Sequence, residues 1–197
     1  MISAVLLAAG ESRRMGEFKQ LLPFAGKTFI ECSVDNLLAS RVAEVIVVTG
    51  HRAEDVSRAI GDRRVKCVYN PDYSSGMSAS IKRGVKAVSE DARAVLIALA
   101  DQPQIGPDIC DQVIEAYEKS RAQIVVPTYK GRNGHPIILD LDLRTEILAI
   151  GAEQGLRQVV HAHPDRVSHI EIASQDVLLD FDFPEDYQRA LSGDAKQ

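Results

Sequence analysis

The chain has 197 residues, with 23 Lys plus Arg against 28 Asp plus Glu, a formal net charge of −5 and 45% hydrophobic residues. That length and apolar share suit one globular domain and exclude a disordered chain, while the acidic balance lacks the broad positive field of a nucleic-acid binder. Three scattered cysteines, Cys32, Cys67 and Cys110, without CxxC spacing, exclude a disulfide framework and a zinc finger and suit a reducing compartment.

Residues 2–8 form a short apolar run that predicts a buried strand. It does not read as a signal peptide, because no basic stretch precedes it and Glu11, Arg13 and Arg14 follow at once. No run approaches the ~20 apolar residues that span a bilayer, so a cytoplasmic protein with no membrane partner is expected. A polar, glycine-punctuated stretch covers 10–26. A helix is predicted over 28–40, where Thr28 and Glu31 have the spacing of a capping box. Residues 45–48 then give a second strand, 52–60 a helix, 65–69 a third strand and 78–88 a helix. A fourth apolar strand is expected at 94–99, followed by a helix over 107–120 with Pro107 at its start. Short strands at 124–126 and 137–139 flank a glycine-rich loop, and helices are predicted at 143–150 and 156–162. Late strands at 167–172 and 177–179 and a closing helix at 184–191 complete the chain. This alternation predicts an α/β fold of Rossmann-like, doubly wound type, a mostly parallel sheet with helices on both faces. Residues 1–191 read as a single domain and 192–197 as a flexible tail.

In such a sheet, ligands bind where loops leave the carboxyl ends of the strands. The first strand exits into Leu7-Ala8-Ala9-Gly10-Glu11-Ser12-Arg13-Arg14-Met15-Gly16, with Lys19 just beyond. Small residues let backbone N–H groups approach an anion, and Arg13, Arg14 and Lys19 bring charge to phosphate oxygens. The dinucleotide fingerprint GxGxxG is absent. Gly26-Lys27-Thr28 imitates the end of a Walker A loop, but Leu21 stands where its first glycine belongs, which argues against a P-loop NTPase. Asp101 is the first carboxylate after the fourth apolar strand, a position suited to a Mg²⁺ ligand or to a turn before Pro103. Asp182 precedes a predicted helix with Glu185 three residues on, so it fits either a ligand or an N-cap. The hydroxyls of Ser75, Ser78 and Ser80 cluster with Gly76 and Met77 at a predicted helix start, which suits either an anion or plain capping.

The spaced pattern Leu7-Ala8-Ala9-Gly10-x-Ser12-x-Arg14-Met15-Gly16-x-x-Lys19-x-Leu21-Leu22-Pro23 resembles the signature of MobA-like nucleotidyltransferases, in particular their molybdenum cofactor cytidylyltransferase branch. Gly76-Met77-Ser78-x-Ser80, Asp101-Gln102-Pro103, Gly134-His135-Pro136 and the acidic segment 180–187 extend the resemblance nearly end to end. It implies transfer of CMP from CTP, or of a nucleotidyl group from another NTP, to the phosphate of a molybdopterin-type cofactor, with pyrophosphate released. It also implies Lys19, Arg14 and Asp101 as catalytic residues and Leu7, Ala8, Ala9, Gly10, Ser12, Arg14, Lys19, Gly76, Met77 and Ser78 around the nucleotide. Asp101 and Asp182, the latter preferred over Asp180, would hold Mg²⁺ or Mn²⁺, and Ser80 and His135 would meet the acceptor. A client molybdenum hydroxylase would be the protein partner. The chain departs from the family pattern at Asn133, where Arg is usual before Gly-His-Pro, and at Phe183, where Thr is common. It also lacks the Asp of a Gly-Asp-x-Gly-type segment at 151–157. Two other readings stay open: transfer to another phosphorylated small molecule, and a non-catalytic protein that carries the cofactor to its client.

Overall fold

A computed structural model describes residues 1–152 and 154–192; Glu153 and most of the expected tail, 193–197, lie outside the described residues. The strand β1 (Ile2–Ala8) is followed by a loop and a small hairpin, β2 (Pro23–Phe24) and β3 (Lys27–Thr28). Then come α1 (Phe29–Ala39), β4 (Glu44–Thr49), α2 (Ala53–Ile60), β5 (Lys66–Tyr69), α3 (Met77–Ala87) and β6 (Ala94–Leu99). The second half holds α4 (Pro107–Lys119), β7 (Ile124–Tyr129), β8 (Arg132–Asn133), β9 (Ile137–Asp140), α5 (Arg144–Ala149), α6 (Arg157–Ala162), β10 (Val167–Glu171) and α7 (Pro184–Ser192). Among the described residues no helix is long and apolar enough to cross a membrane.

Apart from the two-stranded β2–β3 hairpin, the strands form one sheet in the order β10-β7-β9-β6-β1-β4-β5, with β8 paired to β7 alone. Every pairing on the path is parallel except those of β9, which runs antiparallel to both β6 and β7. β1 therefore has β4 on one side and β6 on the other, and chain order reverses direction there. The crevice at the carboxyl ends of β1 and β6 is the topological switch point of the sheet.

Side-chain alternation along each strand sends residues to two cores. Ala4, Leu6 and Ala8 of β1, Val45 and Val47 of β4, and Leu96 and Ala98 of β6 meet α1, α2 and α4 on one face. Val5, Ile46, Val48, Val95 and Ile97 meet α3, α5 and α6 on the other. The doubly wound architecture follows directly from these two apolar faces. α1 begins with the predicted capping box: Thr28 accepts from the Glu31 N–H, and the Glu31 carboxylate accepts from the Thr28 N–H at 2.9 Å.

Two local features differ from expectation. The β2–β3 hairpin begins inside the stretch read only as a polar loop and ends at Thr28, where the helix is expected to start; its turn is Ala25-Gly26, both with left-handed backbone (φ +48° and +81°), as a tight two-residue hairpin turn demands. The predicted strand at 177–179 is instead a short 3₁₀ turn, Gln175–Leu178. Ser174 starts it by accepting from the Asp176 N–H at 3.2 Å, a local bond that competes with strand pairing. Val177 then packs in the core and its carbonyl accepts from the His135 N–H at 3.0 Å.

Gly84 sets the distance between α3 and the sheet. A Cβ there would lie 2.3 Å from Val5 Cγ1 and 3.0 Å from Val48 Cγ2, both of which belong to fully buried residues. Gly84→Ala should therefore destabilise the chain despite its higher helix propensity. Overpacking costs about 1–3 kcal/mol against about 1 kcal/mol of propensity, so the melting temperature should fall by a few degrees. A variant that melts higher than the parent would contradict the close approach.

α1 and α2 are joined by Arg63, which donates to the Ala59 and Ile60 carbonyls at the end of α2 and to Asp35 on α1 at 2.6 Å. The Arg63 hydrogen bond holds the Asp35 carboxyl below its ordinary value, with Lys27 adding to the effect. Stability from this depression is complete above the unfolded value of about 4 and is lost as pH falls through the lower folded one. Arg63→Gln should thus unfold more easily than the parent at pH 7 by chemical denaturation. The gap should narrow as the pH is lowered below about 4.

Candidate active site

The loop after β1 is fixed by its own side chains. Ser12 adopts left-handed backbone (φ +56°), and its carbonyl accepts from the Met15 N–H at 3.1 Å, closing a tight turn. The Ser12 hydroxyl accepts from the Lys19 N–H at 3.1 Å and donates to Gln20 Oε1 at 3.2 Å. Gln20 Nε2 donates in turn to the Gly10 carbonyl at 3.1 Å, so the loop is laced from both ends. Met15 packs with Leu22, Phe29 and Phe181 and anchors the loop's far side.

This lacing aims Lys19 inward. Lys19 is 8% exposed, and its Nζ donates to Asp101 Oδ2 at 3.0 Å and Asp182 Oδ1 at 2.8 Å. Burial alone would push the Lys19 ammonium down, but the Asp101 and Asp182 carboxylates outweigh it and hold its pKa above the ordinary value. Arg14 pairs with the other oxygen of Asp182, Oδ2, at 2.6 Å.

The two carboxylates come from distant parts of the chain. Asp101 follows β6, where the Ala100 N–H donates to the Leu7 carbonyl at 3.1 Å and holds the two strand ends together. Asp182 arrives on a segment docked to the same loop. Gln104 Nε2 donates to the Asp176 and Leu179 carbonyls at 3.0 and 2.7 Å, and Gln102 Nε2 to Asp180 Oδ1 at 2.7 Å. The Phe181 N–H reaches the Asp101 carbonyl at 3.4 Å. Asp182 does not cap α7; its oxygens face Lys19 and Arg14, while Asp186 accepts from the Phe183 N–H at 3.1 Å. Burial and the nearby Asp101 carboxylate push the Asp180 carboxyl above its ordinary value, opposed by the Gln102 hydrogen bond.

A cleft of about 390 Å³ gathers most of the residues expected from the sequence. Leu7, Ala9, Gly10, Ser12, Arg14, Lys19, Gly76, Met77, Ser80, Asp101 and Asp182 all line it. Ala8 does not, because strand alternation turns its side chain into the opposite core; its carbonyl accepts from Gln20 at 3.4 Å. α3 points its start at the cleft through Gly76 (φ +99°), with no side-chain cap on its first N–H groups. Ser78 is buried and lines an adjoining cavity instead; its hydroxyl donates to the Gly151 carbonyl at 2.7 Å. Ser80 lines the first cleft, where its hydroxyl accepts from Asn70 Nδ2 at 3.0 Å.

A second cavity of about 910 Å³ adjoins the first and shares Met77 and Leu99 with it. Ile81, Ile97, Val126, Ile137, Leu156 and Val160 supply an apolar lining, with Arg132, Arg157, Gln154 and His161 among its polar groups. His135 lies here, apart from Ser80, and burial pushes its imidazole below the ordinary value, which favours the neutral form. The pair expected to meet the acceptor is thus divided between two cavities that touch. Gln20, Gln102 and Asp180 shape the site although the sequence reading did not select them. The position of Gln102 beside Asp101 was the one signal that could have singled it out.

The donor set fits a divalent cation of the Mg²⁺ or Mn²⁺ kind. Mg²⁺ takes one or two carboxylates and fills its remaining positions with water and substrate oxygens. Here an ammonium already holds oxygens of Asp101 and Asp182 together, as a cation between them would. No group of three or more His, Cys, Asp or Glu side chains forms a closed metal cage among the described residues.

Residues 4–167 match the MobA-like NTP transferase domain. Nicotine blue oxidoreductase of Paenarthrobacter nicotinovorans is 29% identical over 96% of this chain and 96% of its own length. The molybdenum cofactor cytidylyltransferase of Escherichia coli is 28% identical over 94% of this chain and 93% of its own length. The crystal structure of Rv0371c from Mycobacterium tuberculosis superposes with a TM-score of 0.86 at 27% identity, covering 97% of each chain. The same mycobacterial protein has also been solved in complex with manganese. With a glycine-rich loop, paired carboxylates and a matching domain over most of its length, the chain belongs to the MobA-like NTP transferase family and is a nucleotidyltransferase.

Proposed function

We propose that the chain transfers CMP from CTP to the terminal phosphate of a molybdopterin-type cofactor, in the cytoplasm and within one domain spanning residues 1–191. The observation that carries this reading is the cluster of Lys19, Arg14, Asp101 and Asp182 beneath the glycine-rich loop, opening onto a larger and mainly apolar cavity. The first cleft has the charge for a triphosphate, and the second has the size and lining for a flat heterocycle. The likeness to the Escherichia coli cytidylyltransferase, and Ala9 in the Leu-Ala-Ala-Gly run, favour cytosine over guanine. The product would pass to a molybdenum hydroxylase.

In this reading an oxygen of the acceptor phosphate attacks the α-phosphorus, the bond from that phosphorus to the bridging oxygen breaks, and pyrophosphate leaves. Phosphoryl chemistry of this kind is driven by orientation and by positive charge on the phosphate oxygens. Lys19 and Arg14 supply that charge from the loop, and Gly76 and Met77 at the start of α3, which has no side-chain cap, line the same cleft. Asp101 and Asp182 would hold Mg²⁺ or Mn²⁺, which neutralises charge on the triphosphate when bound. Gln102 and Gln104 keep the Asp180–Asp182 segment on the β6 loop, so both carboxylates stay at the crevice.

Asp101→Asn should reduce turnover by about 10²–10³-fold, comparable with removal of one preorganised electrostatic group, while the chain still folds because Lys19 keeps its bond to Asp182. A rate close to the parent's would remove Asp101 from the metal site. Lys19→Ala should weaken nucleotide binding or slow turnover by about tenfold to a hundredfold, the worth of a charge-assisted hydrogen bond. Pyrophosphate release measured with CTP and with GTP, each with molybdopterin-type cofactor and Mg²⁺, tests the reaction itself, and CTP should be the better donor. Tight cofactor binding without pyrophosphate from any nucleotide would replace transfer by a carrier role.

A further inference from the structure

Arg14 does not reach freely into the cleft. Its Nη2 lies 2.6 Å from Asp182 Oδ2, and its Cζ stands 5.5 Å from the centre of the Phe183 ring. The two holds come from adjacent residues, one an ion pair and the other a cation–π contact. Phe183 is 47% exposed, next to Asp182 and just before α7. Its neighbour Phe181, by contrast, is buried with Met15, Leu22 and Phe29. A large apolar ring left in water beside a guanidinium is poorly explained by core packing.

We propose that Phe183 is a positioning residue: with Asp182 it parks Arg14 away from the nucleotide phosphates until a divalent cation takes Asp182. The proposal rests on the metal and nucleotide assignments above. Lys19 holds Oδ1 and Arg14 holds Oδ2 of Asp182, so a divalent cation that takes Asp182 competes with both, and its second charge repels a guanidinium that a single ammonium leaves in place. With the ion pair gone, the ring contact is what retains Arg14 among the described residues, and an exposed cation–π contact is weak. The triphosphate offers charge-assisted and bidentate bonds in its place. Metal and nucleotide therefore favour each other through a side chain that touches both sites in turn. Phe183 sets how firmly Arg14 is withheld when the metal is absent.

The test is calorimetric titration of CTP into the parent, Phe183→Leu and Phe183→Tyr, each with EDTA and with saturating Mg²⁺. Loss of the ring should tighten metal-free binding by about two- to fivefold and leave binding with Mg²⁺ unchanged, and Phe183→Tyr should restore the parent's behaviour. A merely structural role would instead shift both conditions together, and that result would overturn the proposal. Unchanged metal-free affinity in Phe183→Leu would do the same. The Arg14 Nε–H resonance gives a second readout. It should carry a ring-current shift in the metal-free parent that disappears with Mg²⁺ and is absent from Phe183→Leu. Absence of the shift from the metal-free parent would overturn the parking role. If the parent binds no CTP in either condition, the nucleotide reading itself falls, and this inference falls with it.

Discussion

A buried ammonium governs the arrangement of this molecule's functional edge. Lys19 is almost fully enclosed, and a charge in that position is tolerable only with close partners of opposite sign. Those partners, Asp101 and Asp182, lie 82 and 163 residues further along the chain. Meeting the need brings three segments to one point: the loop after β1, the loop after β6, and the stretch that precedes α7. The 176–182 stretch has little regular structure of its own. It is held by glutamine side chains and backbone bonds from the β6 loop, so the carboxylates are positioned by hydrogen bonds across segments.

The sheet supplies the rigid part. β1 and β6 lie side by side and parallel, and their ends are joined by the bond from Ala100 to Leu7. At such a switch point the flanking loops diverge and leave a crevice. Gly50 helps to close one wall, since a Cβ there would stand 2.5 Å from Tyr73 Cβ and 2.8 Å from Ala9. The two cavities differ in character because they draw on different sources. The smaller takes charge from loops, while the larger takes apolar side chains from β6, β7, β9 and α6.

Much of this was legible in the amino-acid order. Runs such as 45–48 and 94–99 are apolar at successive positions, which only a strand covered on both faces explains, and the Thr28–Glu31 spacing marked the start of α1 correctly. The Ala25-Gly26 hairpin was hidden because alanine seldom adopts the left-handed backbone, so only half of the turn's usual signal was present. Residues 177–179 have the composition of a strand, yet the Ser174 hydroxyl accepts from the Asp176 N–H and donates to the Asp176 carboxylate, which turns the chain first. In the cleft, Lys19, Arg14, Asp101 and Asp182 could be found because charged residues stand out after an apolar strand or in a glycine-rich loop. Alternation alone turns the Ala8 side chain away from the cleft, since Ala4 and Leu6 share its face. Gln102 and Asp180 were not legible as a pair, because a hydrogen bond between residues 78 positions apart leaves no local trace.

The Lys19 clamp also bears on how the chain matures. In many small metalloproteins the ligands repel one another until the ion arrives, so folding and metal loading are one event. Here the acidic pair has its own internal counter-ion, and Arg14 adds a second. The two carboxylates are therefore neutralised from within the chain, and closing this edge of the fold asks for no bound ion.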